Sequence, residues 1–230
     1  MALDDSYTKI LLHMDGADAS TTFTDESGKT FTRYGNTQID TAQSVFGGAS
    51  GLFDGVGDYA LTPNSADFNM GTGDFTIDFR MRRSGAQTAY GGIVSAKNAA
   101  GAGDPGWSVG WDNAGHIRLN AGVANYGVST TTLSDLTWYH IAAVRYGNTS
   151  TIYVNGTGEG TGNVTGVSFD SAGAGCFLGS LFLSSLAYMY KGWIDEVRVS
   201  KGIARWTANF TPPTRAYGTP AFTSEIMWFM

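Results

Sequence analysis

From Phe75 to Arg82, apolar and polar residues alternate without a break. Phe75, Ile77, Phe79 and Met81 fall on one side and Thr76, Asp78, Arg80 and Arg82 on the other, the two-residue period of a strand with one face in a core. The segment "WSVGWDNAGHIRLN" repeats this with Trp107, Val109 and Trp111 on one face, breaks at Asn113 to Gly115, and resumes with Ile117 and Leu119. That predicts a hairpin. Two further β-rich runs flank Gly147-Asn148, and the second runs into Asn155-Gly156. This dipeptide accepts positive φ at both positions and predicts a type I′ turn into another strand. "CFLGSLFL" and "YMYKGWIDEVRVS" supply late strands of the same character. About twelve such runs occur, spaced as in an all-β sandwich or barrel. A helical turn is credible only from Ser200 to Phe210, where Ser200 can cap it and Pro212-Pro213 forbid its continuation.

Composition supports one domain. Of 230 residues, 42% are hydrophobic and 15% charged, enough apolar material for a continuous core. The 32 glycines against 5 prolines suit many tight turns. After Tyr217 the pattern changes to "GTPAFTSEIMWFM", a hinge and an apolar terminus, so the domain is expected over 1–217 and a docking tail over 218–230. A net charge of −6 argues against nucleic acid, whose binding depends on clustered Lys and Arg. The exception, "RMRR" at Arg80 to Arg83, reads as a solvated strand face. Cys176 is the single cysteine, which excludes an internal disulfide framework; it is expected as a small buried apolar residue. "MALDDSYTKILLHMDG" is neither a secretory signal nor a membrane anchor. Synthesis in the cytosol without a membrane partner is expected, and the sequons at Asn148, Asn155, Asn163 and Asn209 then read as turn chemistry.

Four segments occur in a telling order: "LLHMDGADASTTFTDESG", "FGGASGLFDGVGDYALTP", "FTIDFRMR" and "GWIDEVRVSKGIARWTANFTPP". Together they resemble laminin-G-like domains of the concanavalin A-like lectin and glucanase superfamily, from about Ile10 to Tyr217, and are especially similar to versions in bacteriophage structural proteins. The resemblance implies an all-β, antiparallel two-sheet jelly-roll sandwich, here with one short C-terminal helix. It implies a non-enzymatic virion protein, a capsid decoration, fibre or tail component, whose partners are other virion proteins or copies of itself. The alternative it implies is a carbohydrate-binding adhesin domain recognising host surface glycans. Many relatives carry Trp where this chain has Arg80, which removes a sugar-stacking aromatic from that outward face.

The superfamily's glucanases cleave with paired carboxylates in an E-x-D-x-x-E pattern. The four glutamates here, Glu26, Glu159, Glu196 and Glu225, begin no such pattern. Asp195 and Glu196 are adjacent on a strand, face opposite sides and cannot flank one scissile bond. No G-x-S-x-G elbow exists, and His13, His116 and His140 lie in separate segments; His140 is expected as a hydrogen-bonded core residue. Regular alternation places Asp195 on the face of Val197 and Val199, where a carboxylate needs a cation or several donors. Oxygen-rich surroundings favour calcium. By resemblance one structural calcium joins the terminal strands, with Asp15 and Asp195 as its ligands; the alternatives are an Asp-Gly turn for Asp15 and a salt bridge to an Arg for Asp195. Trp107, Trp111, Tyr126 and Trp138 are expected in the core rather than in a saccharide groove. Phe222, Ile226, Met227, Trp228 and Phe229 in the tail are expected to dock on a neighbouring chain.

Overall fold

The computed structural model describes residues 5–218 apart from 86–89, 99–103, 172 and 183–187. Phe222, Ile226, Met227, Trp228 and Phe229 therefore lie outside the described residues. The described strands are β1 (Thr8–Leu12), β2 (Thr32–Tyr34), β3 (Gln38–Asp40), β4 (Ser50–Asp54), β5 (Tyr59–Leu61), β6 (Phe75–Arg83), β7 (Gly91–Ala96) and β8 (Trp107–Trp111). They continue with β9 (Ile117–Ala121), β10 (Ala124–Val128), β11 (Trp138–Tyr146), β12 (Thr149–Val154), β13 (Thr157–Asn163), β14 (Phe177–Leu178) and β15 (Lys191–Lys201). The eight-stranded sheet runs β13-β12-β11-β6-β15-β4-β3 with β1 also on β15, and the seven-stranded sheet runs β10-β9-β8-β7-β14-β5-β2. The strand pairs are antiparallel, so the molecule is a two-sheet jelly-roll sandwich.

The alternation read from the sequence fills the space between the sheets. Phe75, Ile77, Phe79 and Met81 of β6 meet Trp107, Val109, Trp111, Ile117 and Leu119 of β8 and β9 in one buried cluster. A fully buried aromatic ring contributes about 1.5–3 kcal/mol, and truncating Phe79 to Ala is a cavity-forming change of about 3–5 kcal/mol. Cys176 is also in this core. The predicted type I′ turn is present: Asn155 and Gly156 both have positive φ, 49° and 80°. At one side of the sandwich the two sheets are tied by a hydrogen bond from the Ser150 hydroxyl of β12 to the Tyr126 carbonyl of β10.

The helix expected from Ser200 to Phe210 does not form. β15 continues to Lys201, and the residues that follow run without helix. Their backbone amides are satisfied by the sheet instead: Gly202 donates to the Asp74 carbonyl, Arg205 to Thr76 Oγ1 and Phe210 to the Gly156 carbonyl. Trp206 and Phe210 have helical spacing but stack face to face at 4.0 Å. With Ala204 they pack on Ala142, Val144 and Tyr153, the outward side of β11 and β12. Tertiary bonding outweighs a local turn here, and residues 202–217 become a strap across the outer face of the eight-stranded sheet.

Candidate functional site

Under that strap lies a buried polar cluster. On the outward side of β6, Asp78 receives a bidentate bond from Arg198, both contacts 3.1 Å. His140 Nε2 lies 3.8 Å from Asp78 and 3.1 Å from the Tyr217 hydroxyl. Arg198 also sits 4.0 Å over the Tyr217 ring. Burial by itself raises the Asp78 carboxyl, but Arg198 and His140 outweigh it and hold the group at about 2. Burial pushes His140 below the ordinary imidazole value, so it is neutral. Asp78 and His140 have no solvent exposure, so this arrangement fastens the strap and offers no surface to a ligand. Arg80 points to the same face and bonds the Pro213 carbonyl. The outward face whose missing aromatic the sequence pointed to is thus covered by the chain itself.

A bulge sets the position of the expected metal ligands. Asp195 pairs with Arg80 and Arg198 with Asp78, so two residues of β15 oppose Phe79 alone, and Glu196 takes φ of 50°. The extra residue reverses the alternation. Asp195 therefore faces outward with Arg80, not inward with Val197 and Val199, which are in the core. The bulge also falls where the neighbour of β15 changes from β4, paired with Lys191–Ile194, to β1, paired from Val197 onward. Into that junction Asp195 turns its Oδ2, which accepts from the backbone amides of Val45 at 2.7 Å and Phe46 at 3.2 Å. Glu196 accepts from His13 Nδ1 at 2.8 Å and from the Tyr217 amide at 2.8 Å through its other oxygen.

Asp15 is brought to the same loop: a Cβ added at Gly47 would fall within its carboxylate. The structure thus gathers Asp15 and Asp195, yet the donors do not fit calcium, which takes six to eight oxygens. Both Glu196 oxygens are occupied, Asp15 is exposed, and Asp195 offers one buried oxygen, Oδ1, without a partner. Among the described residues no three acidic, His or Cys side chains come together as a metal set. Melting curves recorded in chelator and in millimolar calcium are expected to coincide; a rise of several degrees with calcium alone would show that an ion completes this junction.

A different feature has the form of a ligand site. On the outer face of the seven-stranded sheet a groove of about 370 Å³ lies over β7, β8 and β9. Inward Trp107, Val109 and Leu119 leave Ser108, Arg118 and Asn120 on its floor. Leu181 and Phe182 form one wall, and they come this close because Gly92 has no side chain: a Cβ there would lie 2.4 Å from the Leu181 backbone. Tyr90 is 46% exposed at the rim, with the Arg118 guanidinium 5.3 Å from its ring. Asn120 Nδ2 donates to Asn125 Oδ1 at 2.6 Å. Lys97 reaches beneath the β9–β10 turn to the Gly122 carbonyl. None of the described residues lining the groove is Asp or Glu.

Trp107 and Trp111 are core residues, as expected, and Trp111 touches the groove only from below. The sequence reading missed Tyr90, Asn120, Asn125 and Phe182. Only the alternation in "HIRLN", which turns Arg118 and Asn120 away from the core, could have signalled part of the set. Of the glutamates, Glu159 is engaged by Thr130 and Thr131 and Glu196 by His13 and Tyr217; Glu225 lies outside the described residues.

Residues 54–205 match the family model described as the Concanavalin A-like lectin/glucanases superfamily. None of the curated proteins matches the chain. Domain 4 of AbnA, a GH43 extracellular arabinanase from Geobacillus stearothermophilus solved in complex with arabinotriose, is similar at 19% identity and TM-score 0.62, over 86% of this chain and 95% of that one. The binding domain of Paraclostridial Mosquitocidal Protein 1 is similar at 14% identity and TM-score 0.63, over 86% of this chain and 49% of that one. Trypanosoma rangeli sialidase in complex with 2,3-difluorosialic acid is similar at 14% identity and TM-score 0.63; the match covers 88% of this chain but 32% of the sialidase. At these identities the likeness concerns the fold.

Proposed function

Because the chain belongs to the concanavalin A-like lectin/glucanases superfamily, we propose that it is a non-catalytic carbohydrate-binding module whose ligand lies in the groove of the seven-stranded sheet. The observation that carries this reading is the groove's make-up. A half-exposed Tyr90 offers a ring to the apolar face of a sugar, and Asn120 Oδ1 and Asn125 Nδ2, without protein partners among the described residues, offer an acceptor and a donor to hydroxyl groups. Glycoside hydrolysis ordinarily requires two carboxyl groups about 5–9.5 Å apart across the scissile bond, and among the described residues lining the groove there is none. The arabinotriose complex of AbnA domain 4 gives a precedent for saccharide binding on this fold. In a glycan array followed by calorimetry, Tyr90→Ala and Asn120→Ala are each expected to weaken the best ligand about tenfold, the loss of about 1.4 kcal/mol, with unchanged melting temperature. Silence of the intact chain across the array, or full affinity in both variants, would overturn the reading.

A second reading concerns where the module is mounted. Both ends of the described segment lie on the eight-stranded sheet: Asp5 holds Arg205 of the strap at 2.9 Å, β1 pairs β15, and Tyr217 closes on Glu196. Attachment through the ends leaves the groove facing away from the support. This favours a display role, in keeping with the phage-like motifs, as a non-enzymatic virion component that docks on virion proteins or on its own copies. Deletion of residues 218–230 is expected to abolish incorporation into particles while glycan binding persists; undiminished incorporation would rule the virion reading out.

A further inference from the structure

We propose that the groove selects neutral saccharides and discriminates against acidic ones, an inference that rests on the groove being the saccharide site. Two cations line it, Lys97 and Arg118, and at first sight they invite a carboxylate or sulfate. Both are already committed. Arg118 gives its Nε to Asp112 Oδ2 at 2.9 Å and its Nη2 to the same oxygen at 2.8 Å. Asp112 is only 2% exposed. Lys97 is 4% exposed, with its ammonium on the Gly122 carbonyl and Asp104 as a neighbouring charge.

Asp112 already neutralises Arg118, so an acidic ligand that bonds the remaining guanidinium donors gains little net attraction. One that draws Arg118 away leaves the buried Asp112 carboxylate with only His116 Nδ1, at 3.4 Å, which is costly, and removes Arg118 from the Tyr90 ring it supports. A neutral sugar disturbs neither contact. It uses Tyr90 and the spare groups of Asn120 and Asn125, which carry no charge and ask for none.

The test compares a neutral oligosaccharide with counterparts ending in a uronate or sialic acid, on the intact chain, from about 0.05 to about 0.5 M salt. The neutral ligand is expected to bind at least about tenfold tighter, with an affinity that changes less than about twofold over the salt range. Equal or tighter binding of an acidic counterpart, or a steep loss with salt, would overturn the selectivity while leaving the groove as the site. Absence of binding by every saccharide would instead remove the site itself. Asp112→Asn supplies an independent arm. Its Oδ1 can still accept from the Ala114 and His116 amides, at 2.8 and 3.0 Å in the parent, but Arg118 loses its countercharge. The acidic ligands should then gain at least about fivefold relative to the neutral one; an unchanged ratio refutes the role assigned to the Asp112–Arg118 pair.

Discussion

Asp78→Ala is expected to lower the melting temperature by roughly 10 °C. The pair it removes is fully buried, and loss of one partner from such a pair costs about 3–5 kcal/mol because the other charge stays behind. For a chain of this size each kcal/mol is worth about 2–4 °C. The charge that loses its carboxylate is Arg198, a residue 5% exposed whose guanidinium lies between Asp78 and the Tyr217 ring. His140 loses its nearest carboxylate in the same step. The pH dependence has a defined sign. The folded Asp78 lies at about 2, below the ordinary aspartate value of 3.8, so its contribution is present above 3.8 and is lost as pH falls towards 2. His140 acts in the same direction: neutral when folded, it is protonated in the unfolded chain below about 6.5, and stability declines on that side. Thermal unfolding at pH 7 and pH 3 checks both points, since the variant's deficit should shrink on acidification. A deficit equal at the two pH values would show that packing, not charge, accounts for the loss.

The parts of the fold legible in the sequence were those with an uninterrupted period. Phe75 to Arg82 sorted correctly into core and outer faces because nothing breaks β6 there, and Asn155-Gly156 announced its turn because few dipeptides tolerate that geometry. Strands of three residues such as β2, β3 and β5 carry too little alternation to register. The bulge at Glu196 is a single extra residue, invisible to a two-residue period, yet it moved Asp195 to the opposite face. Trp206 and Phe210 have the i, i+4 spacing of a helix but meet by stacking in an irregular strap, which only the sheet beneath explains. The groove was hidden for another reason: Tyr90, Asn120, Asn125 and Phe182 become neighbours through sheet order, and no local pattern encodes that order.

The motif order that suggested the family also has a physical counterpart. "HMDG", "VFGG" and "WIDE" are far apart in the chain, but their residues His13, Asp15, Val45, Phe46, Asp195 and Glu196 converge where β15 passes from β4 to β1. These acidic residues join the N-terminal strand, a loop and the strap. They are spent on closing the sandwich, which is why the most distinctive segment of the sequence lies away from the groove proposed to bind ligand.

That junction yields the other large effect: Asp195→Asn is expected to melt higher than the parent at pH 8.5 and no higher at pH 5. Burial pushes the Asp195 carboxyl up to about 7, against the lowering by the Val45 and Phe46 amides and with a further rise from Glu196 and Asp15. Because the folded value lies above the ordinary aspartate value of 3.8, folding favours the protonated form. The contribution is complete below about 4 and is lost as pH climbs through about 7, by at most about 4 kcal/mol. His13 adds to the same trend, since its hydrogen bond to Glu196 raises it above the usual imidazole value and that stabilisation also fades at higher pH. Asn keeps an oxygen for the two amides and carries no charge, so the variant should lose the Asp195 part of the alkaline loss and keep the His13 part. The substitution also separates a proton from a metal. If a cation occupied Asp195 Oδ1, removing the charge would weaken the junction at pH 8.5 and lower the melting temperature there, opposite in sign to the result expected for a buried carboxyl that folds in its neutral form.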